Sequence, residues 1–174
     1  MLVLLIGPKG SGKSHIGRLL EARLGVCFFH VEPLWMAYYE ECTRDARQPM
    51  IAEGITRVHP AIAAALERHQ HVCVETTGAS PEILDGLLHL GKQAGLLLAR
   101  VKAPLSLCME RIMSRDQTCQ IPMEPDKIRR VYELGESLDL PFAIELENIA
   151  LTDEQVLEPF SLILRPKGIQ RAIH

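Results

Sequence analysis

The octet GPKGSGKS at positions 7–14 limits the possible folds of this chain more than any other segment. The apolar run at 2–6 comes directly before it without a polar interruption, which is typical of a strand buried on both faces of a parallel sheet. After the octet, apolar residues recur at the spacing of one helix face: Ile16, Leu19, Leu20 and Leu24. The segment therefore predicts a strand, a glycine-rich turn and a helix in succession.

The octet also matches the phosphate-binding P-loop pattern, G-x4-G-K-[ST], in the strand-to-helix context that the pattern needs. Glycines allow backbone N–H groups to surround a polyphosphate, and the helix N-terminus adds partial positive charge. Lys13 is predicted to reach the β- and γ-phosphates of ATP, and the Ser14 hydroxyl is predicted to hold Mg²⁺. The predicted nucleotide-binding residues are Gly7, Gly10, Ser11, Gly12, Lys13 and Ser14.

Length and composition are those of one globular domain. The chain has 174 residues, of which 47% are hydrophobic and 24% charged, and its net charge of −3 gives no sign of nucleic-acid or membrane affinity. Five cysteines without a C-x-x-C pair suggest a reducing compartment rather than a disulfide framework. No stretch approaches the ~20 apolar residues that span a bilayer, and we expect a cytoplasmic protein.

Strand and helix patterns alternate along the chain, which predicts an α/β fold with a parallel sheet covered on both faces. Further strands are predicted at 26–30, 72–76, 96–101 and 141–146, and helices at 33–43, 51–68, 81–93, 105–114, 126–137 and 153–162. We expect one domain over residues 1–164, with a short lid at about 115–125 and a basic C-terminal tail at 165–174.

Two acids end predicted strands, where open α/β sheets bind their ligands. Glu32 is a candidate for orienting an acceptor hydroxyl, or alternatively an ordinary acid at a helix start. Glu75 is a candidate for holding Mg²⁺ through water, or alternatively a partner in a strand-end salt bridge. The Thr76-Thr77-Gly78 run that follows is predicted either to contact a substrate or to make the turn into the next helix.

Arginines are the candidates for binding anions, because a guanidinium matches phosphate oxygens better than an ammonium does. Arg111 and Arg115 lie four residues apart on one helix face and are predicted to stabilise the transferring phosphoryl group, or else to be solvated surface charges. Arg129 and Arg57 are weaker candidates for substrate binding, with surface exposure as the alternative. The position of three aromatic residues after the second strand predicts core packing or the rim of a substrate pocket: Trp35, Tyr38 and Tyr39.

With these motifs together, the chain resembles the small P-loop kinases, which include shikimate kinase, gluconate kinase and the nucleoside and nucleotide monophosphate kinases. The likeness runs from residue 2 to about 160, and LVLLIGPKGSGKSHIGRLLEARLGVCFFHVE looks most like shikimate kinase. The resemblance implies a three-layer P-loop NTPase fold with a five-stranded parallel sheet in the order 2-3-1-4-5. It also implies ATP over the P-loop, a lid that closes over ATP, and adenine held by the lid helix and the loop at 147–152.

The acceptor region departs from the shikimate kinase pattern. That family ends its second strand in D-x-D, whereas His30 and Glu32 occupy the two positions here. Arg57 is placed like a substrate-carboxylate arginine, but Pro60 stands where an acid is expected. We therefore predict an ATP- and Mg²⁺-dependent phosphotransferase acting on a small metabolite other than shikimate. The alternative is a nucleotide-binding regulatory or partner-binding protein without kinase activity.

Overall fold

The apolar runs of the sequence form a five-stranded, wholly parallel sheet. In this computed structural model, which describes residues 1–114 and 124–164, the strand order is β2-β3-β1-β4-β5. The strands are β1 Leu2–Ile6, β2 Cys27–Phe28, β3 Val72–Thr76, β4 Leu96–Lys102 and β5 Ile144–Glu147. The predicted order 2-3-1-4-5 is thus confirmed.

Helices connect successive strands, as a parallel sheet requires. Within the described residues there are seven: α1 Lys13–Leu24, α2 Glu32–Arg44, α3 Ile51–Arg68, α4 Pro81–Ala94, α5 Leu105–Met113, α6 Pro125–Glu136 and α7 Asp153–Ile163. Sequence signals explain several of the boundaries. Ser80 caps α4 by accepting a hydrogen bond from the Ile83 amide, and Thr152 forms a capping box with Gln155 at the start of α7.

Two apolar layers enclose the sheet, because successive side chains of each strand point to opposite faces. On one face, Val3 and Leu5 pack in a cluster with residues of α1 and α7. On the other face, Leu2, Leu4 and Ile6 pack in a cluster with residues of α2, α3 and α4. All five β1 residues are fully buried, so β1 is the centre of a three-layer α/β fold.

The register of the central strands sets the geometry of the sheet edge where the chain turns into its helices. β1 pairs with β3 so that Leu5 lies opposite Glu75 and Ile6 lies opposite Thr76. The residues that follow both strands therefore leave the sheet at the same level. Glu75 lies on the α1 side of the sheet, since its neighbour Val74 packs in the opposite layer.

The second strand is shorter than predicted. Only Cys27 and Phe28 pair with β3, rather than residues 26–30. Pro33 occupies the first turn of α2, which begins at Glu32 and ends the extended backbone early. Of the predicted lid only Glu124 and Pro125 are described; its residues 115–123 and the tail at 165–174 lie outside the described residues.

No helix in the described part of the chain is both long enough and apolar enough to cross a bilayer.

Candidate active site

The P-loop connects β1 to α1 and depends on two glycines in the left-handed region. Gly10 has φ 85° and Gly12 has φ 100°, conformations that side chains rarely adopt. A Cβ at Gly10 would overlap the backbone of Cys108, and one at Gly12 would overlap the Asn148 side chain. Both positions therefore require glycine for conformation and for space.

Lys13 is the first residue of α1, and its side chain is 7% exposed. Its Nζ donates hydrogen bonds to the backbone oxygens of Gly7 and Pro8, each at 2.8 Å. The ammonium group is therefore held over the loop itself. Ser11 and the glycines at 7 and 10 are also buried, so the loop is a compact structure in which backbone groups predominate.

Ser14 and Glu75 come together at the carboxyl end of the sheet. The Ser14 Oγ donates toward both carboxylate oxygens of Glu75, at 2.9 Å each. A hydroxyl and a carboxylate are hard oxygen ligands of the kind that Mg²⁺ prefers. Within residues 1–114 and 124–164, no three His, Cys, Asp or Glu side chains form a metal cluster. Mg²⁺ does not need one, because phosphates and water supply most of its ligands in nucleotide sites.

A cavity of about 380 Å³ opens beside these residues. Its lining comes from the P-loop, the ends of β1 and β3, and the helices α2, α3, α4 and α6. Its described lining residues are Lys9, Gly10, Gly12, Lys13, Ser14, Val31, Glu32, Trp35, Tyr39, Val58, His59, Val74, Glu75, Thr76, Thr77, Ala79, Ser80, Ile83, Leu87, Lys127 and Val131.

One wall of the cavity is apolar and aromatic. The Trp35 and Tyr39 rings of α2 stack with centroids 6.1 Å apart and an interplanar angle of 30°. Gly54 of α3 lies directly against the Trp35 indole, where a Cβ would overlap the ring. Val58 extends this wall from α3, and Ile83 extends it from α4. Trp35 therefore serves both in the core and at the cavity, the two alternatives that its position suggested.

Polar side chains from α2, α3 and the end of β3 line the cavity beside that wall. Glu32, the first residue of α2, is half-buried in the cavity lining, as are Thr76 and Thr77 at the end of β3. His59 of α3 is also half-buried, and burial lowers the pKa of its ring from the ordinary 6.5. Its imidazole is therefore neutral at pH 7. Burial likewise raises the pKa of Tyr39 above 10, so its phenol keeps its proton.

The Arg111 side chain contacts the backbone of the P-loop and is not among the residues that line the cavity. Its guanidinium donates to the backbone oxygens of Gly10 and Ser11 at 3.4 Å, and to that of Asn148 at 3.1 Å. Asn148 follows β5, and its side-chain amide donates to the Ser11 oxygen at 2.8 Å. Two side chains from distant segments therefore hold the outer side of the loop.

Arg57 is engaged by acids outside the cavity. Its guanidinium donates to the two carboxylate oxygens of Glu41 at 2.5 Å and 2.9 Å, and it lies 3.5 Å from Glu53. Arg47 binds the same two acids at 2.8 Å and 2.7 Å. These four residues form an ion cluster between α2 and α3, and both arginines lie over the Tyr38 ring.

The structure thus brings together most, but not all, of the predicted site residues. Lys13, Ser14, Glu32, Glu75, Thr76 and Thr77 line one cavity. Gly78 follows them but packs against Leu138, Arg129 is exposed on α6 outside the lining, and Arg115 lies outside the described residues.

Several lining residues were not predicted from the sequence. Those on α3, α4 and α6 are Val58, His59, Ile83, Leu87, Lys127 and Val131. They come from three helices that are separate in sequence, and no motif connects them. His59 could have been predicted from its position next to Val58, a buried residue of a strongly amphipathic helix.

Comparison with known proteins agrees with this geometry. Residues 2–131 match the family model described as an AAA domain. The chain belongs to this family. No curated protein sequence matches it.

Solved structures share the fold at low sequence identity. An unliganded sugar kinase from Janibacter superposes with a TM-score of 0.65 at 14% identity, covering 92% of each chain. Shikimate kinase from Aquifex aeolicus has a TM-score of 0.56 at 21% identity, covering 93% of this chain and 94% of its own. Deoxyadenosine kinase from M. mycoides, solved with dATP, has a TM-score of 0.59 at 13% identity, covering 93% and 98%. The resemblance to small P-loop kinases is therefore confirmed at the level of the fold.

Proposed function

We propose that this protein transfers the γ-phosphoryl group of ATP to a hydroxyl or phosphate group of a small metabolite. The observation that carries the proposal is that one cavity is lined both by Lys13 and Ser14 of the P-loop and by Glu32 on the opposite helix. Phosphoryl transfer needs mainly positioning and charge stabilisation, and this arrangement offers both at a single place. The sugar kinase, shikimate kinase and deoxyadenosine kinase among the structural neighbours support the same class of reaction.

On the donor side, the P-loop binds the polyphosphate through backbone N–H groups at the start of α1. Lys13 lies at that helix end with its ammonium already directed over the loop. We propose that it stabilises negative charge on the transferring phosphoryl group. Because its side chain is buried, this interaction is less screened than one at the surface.

Ser14 and Glu75 fit a magnesium site. The Ser14 hydroxyl oxygen would bind the ion directly, and Glu75 would bind it through water while also accepting a hydrogen bond from the Ser14 hydroxyl. When bound, Mg²⁺ neutralises charge on the β- and γ-phosphates. The 2.9 Å contacts between the two side chains keep the Ser14 oxygen at the carboxyl end of β3, next to the P-loop.

On the acceptor side, we propose that Glu32 accepts a hydrogen bond from the acceptor hydroxyl and takes its proton during transfer. α2 begins at this residue, so the carboxylate has a fixed backbone and faces the cavity. Thr76 and Thr77 supply further hydroxyls beside the transfer site. General-base assistance of this kind contributes about 10²-fold or more to a rate.

The arginine roles remain proposals. We propose that Arg111 maintains the P-loop conformation through its three backbone contacts, in addition to the phosphoryl-stabilising role predicted for it. Arg115 lies outside the described residues, and its role in the lid stays a prediction, as does that of Arg129 in substrate binding. Arg57 also stays a substrate-binding prediction, although its contacts are with Glu41 and Glu53.

Two measurements test the proposed function. ATP binding is measured by calorimetry, and ADP release is followed over a panel of sugars, sugar acids, aromatic alcohols, nucleosides and nucleotides. We expect micromolar ATP binding that depends on Mg²⁺, together with ADP release stimulated by one acceptor class. Glu32→Gln should lower that stimulated release by roughly 100-fold while leaving ATP binding intact, whereas Glu40→Gln, at an exposed position of the same helix, should change neither.

ATP binding without stimulated release by any acceptor would contradict the proposal. That result would instead favour the alternative, a nucleotide-binding regulatory or partner-binding protein that has the fold without the chemistry.

A further inference from the structure

We infer that the acceptor is an uncharged alcohol with a flat, apolar body, of the chemical kind of an aromatic alcohol or a nucleoside, rather than a sugar acid or a phosphate ester. This inference rests on the proposed function and names the substrate class of the same site. Four features of the cavity support it: its charges, the position of Arg57, its walls and its volume.

The charges of the cavity favour a neutral acceptor. Among the described lining residues the cations are Lys9, Lys13 and Lys127, and none is an arginine. Lys9 and Lys13 belong to the P-loop, where ATP binds, and Lys127 is exposed on α6. A carboxylate or phosphate bound against the wall of α2 and α3 would find no guanidinium among the described lining residues and would lie in the same cavity as Glu32. Burying a charge against that wall, away from a close partner of opposite charge, is strongly unfavourable.

The orientation of α3 explains why an arginine is missing from the described wall. Arg57 precedes His59 by two residues, which places the two side chains about 200° apart around the helix. Val58 and His59 line the cavity, while Arg57 binds Glu41 and Glu53 on the other side. Arg57, one of the arginines that the sequence offers for an anionic substrate, is therefore neutralised by protein carboxylates.

The walls suit a flat ring. Trp35 and Tyr39 are stacked at 6.1 Å, and Val58, Ile83 and Leu87 add aliphatic surface around them. Aromatic and aliphatic surfaces of this kind bind planar rings by stacking and by removal of apolar area from water. The neutral His59 imidazole has one donor and one acceptor nitrogen, which match the polar edge of an uncharged ring. A flat acceptor placed here would direct its hydroxyl toward Glu32 and Lys13.

The volume agrees with this class. About 380 Å³ is at the lower end of the range for small-molecule sites. Because P-loop residues line part of this volume, the acceptor takes only a share of it, which suits a single-ring alcohol or a nucleoside better than a large polycyclic compound.

The chain contains one tryptophan, and it lies in this cavity, so ligand binding can be measured directly by its fluorescence. The donor site is first saturated with Mg·ADP. Matched pairs are then titrated: adenosine against AMP, and 4-hydroxybenzyl alcohol against 4-hydroxybenzoate. We expect the uncharged member of at least one pair to change Trp35 emission with a Kd at least ~10-fold lower than that of its charged partner. Tighter binding of the charged members, or no response to either pair, would overturn the inference.

A second experiment changes the wall itself. His59→Arg adds a guanidinium to the cavity and should reverse the preference, shifting the ratio of the two Kd values by ~10-fold or more toward the charged member. His89→Arg, at an exposed position of α4, is the matched control and should leave the ratio unchanged. Unaltered ATP binding by calorimetry verifies that each variant is folded. An unchanged ratio in folded His59→Arg would overturn the inference.

These readouts separate the inference from the proposed function, because the fluorescence change requires no phosphoryl transfer. Binding of the uncharged members without any ADP release would contradict the proposed function and keep the inference. ADP release stimulated only by a carboxylate or phosphate acceptor would support the proposed function and overturn the inference.

Discussion

The two halves of the cavity are built in different ways. The donor half consists of residues 7–14 and Glu75, and it depends on backbone conformation: two glycines with positive φ, a helix N-terminus and a lysine hydrogen bonded to loop carbonyls. The acceptor half consists of the cavity-lining side chains of α2, α3 and α4, held in place by packing. Glycines serve there to make room for side chains: Gly54 for Trp35, and Gly86 of α4 for His59.

This difference indicates which half of the cavity can change its acceptor specificity by substitution. A structure that depends on glycine conformation tolerates few substitutions, whereas a wall of side chains can change its chemistry one residue at a time. We therefore expect substitutions in the donor half to affect every acceptor equally, and substitutions in the acceptor half to change which acceptor is used.

The largest effect is expected for Lys13→Ala. Removing the ammonium should lower kcat by about 10²- to 10³-fold for every acceptor, since removing one preorganised donor at a developing charge has an effect of that size. Steady-state ADP release measures the loss, and circular dichroism verifies the fold. Full activity in a folded variant would contradict the role of Lys13.

The next effect is expected for Gly12→Ala. A side chain at φ 100° costs about 1–3 kcal/mol of stability, and the new Cβ would also displace Asn148 from the loop. ATP affinity by calorimetry should fall by at least ~10-fold. Gly25→Ala is the matched control, because Gly25 has φ 67° but no atom within 4 Å of the added Cβ. It should lower stability without weakening ATP binding; equal losses in both variants would contradict a specific role for Gly12.

A smaller and selective effect is expected for Gly54→Ala in the acceptor half. The added methyl group must displace the Trp35 ring, so acceptor KM should rise several-fold while ATP affinity stays constant. Thr56→Ala, at an exposed position of the same helix, should leave KM unchanged. A parallel loss of ATP affinity in Gly54→Ala would show that the two halves are not separable.

The smallest effect concerns pH. Hydrogen bonds from Arg57, and then from Arg47, hold the pKa of Glu41 at about 2, below its ordinary 4.5. Because the folded-state pKa is depressed, the stabilisation is complete above about pH 4.5 and is lost as pH falls toward 2. Urea unfolding midpoints should decrease over that window, and less steeply in Glu41→Gln. Glu40→Gln is the control; an identical pH dependence in Glu41→Gln would contradict the contribution of Glu41.

Local patterns were sufficient to predict the fold and the donor half. The strand patterns, of which the fifth is half-polar, and the P-loop motif are each contiguous in sequence, and the resemblance they carry implied the strand order that the structure shows. The proximity of Ser14 and Glu75 could also be predicted, because parallel strands place their carboxyl ends at one edge of the sheet.

The acceptor half could not be predicted in the same way. Its wall joins His59 of α3 to Ile83 of α4 and Trp35 of α2, and only tertiary packing brings these residues together. Arg57 illustrates the difficulty. Its partner Glu41 lies 16 residues earlier, so nothing local indicates that the guanidinium is already bound by protein.

The register between β1 and β3 limits which insertions and deletions the chain can tolerate during evolution. Leu5 lies opposite Glu75, and side chains along a strand alternate between faces. Inserting or deleting one residue within β3 would therefore move the Glu75 carboxylate away from Ser14 without substituting any residue of the site. We expect the number of residues between Val72 and Glu75 to have been preserved in functional descendants of this sequence, even where the residues themselves have changed.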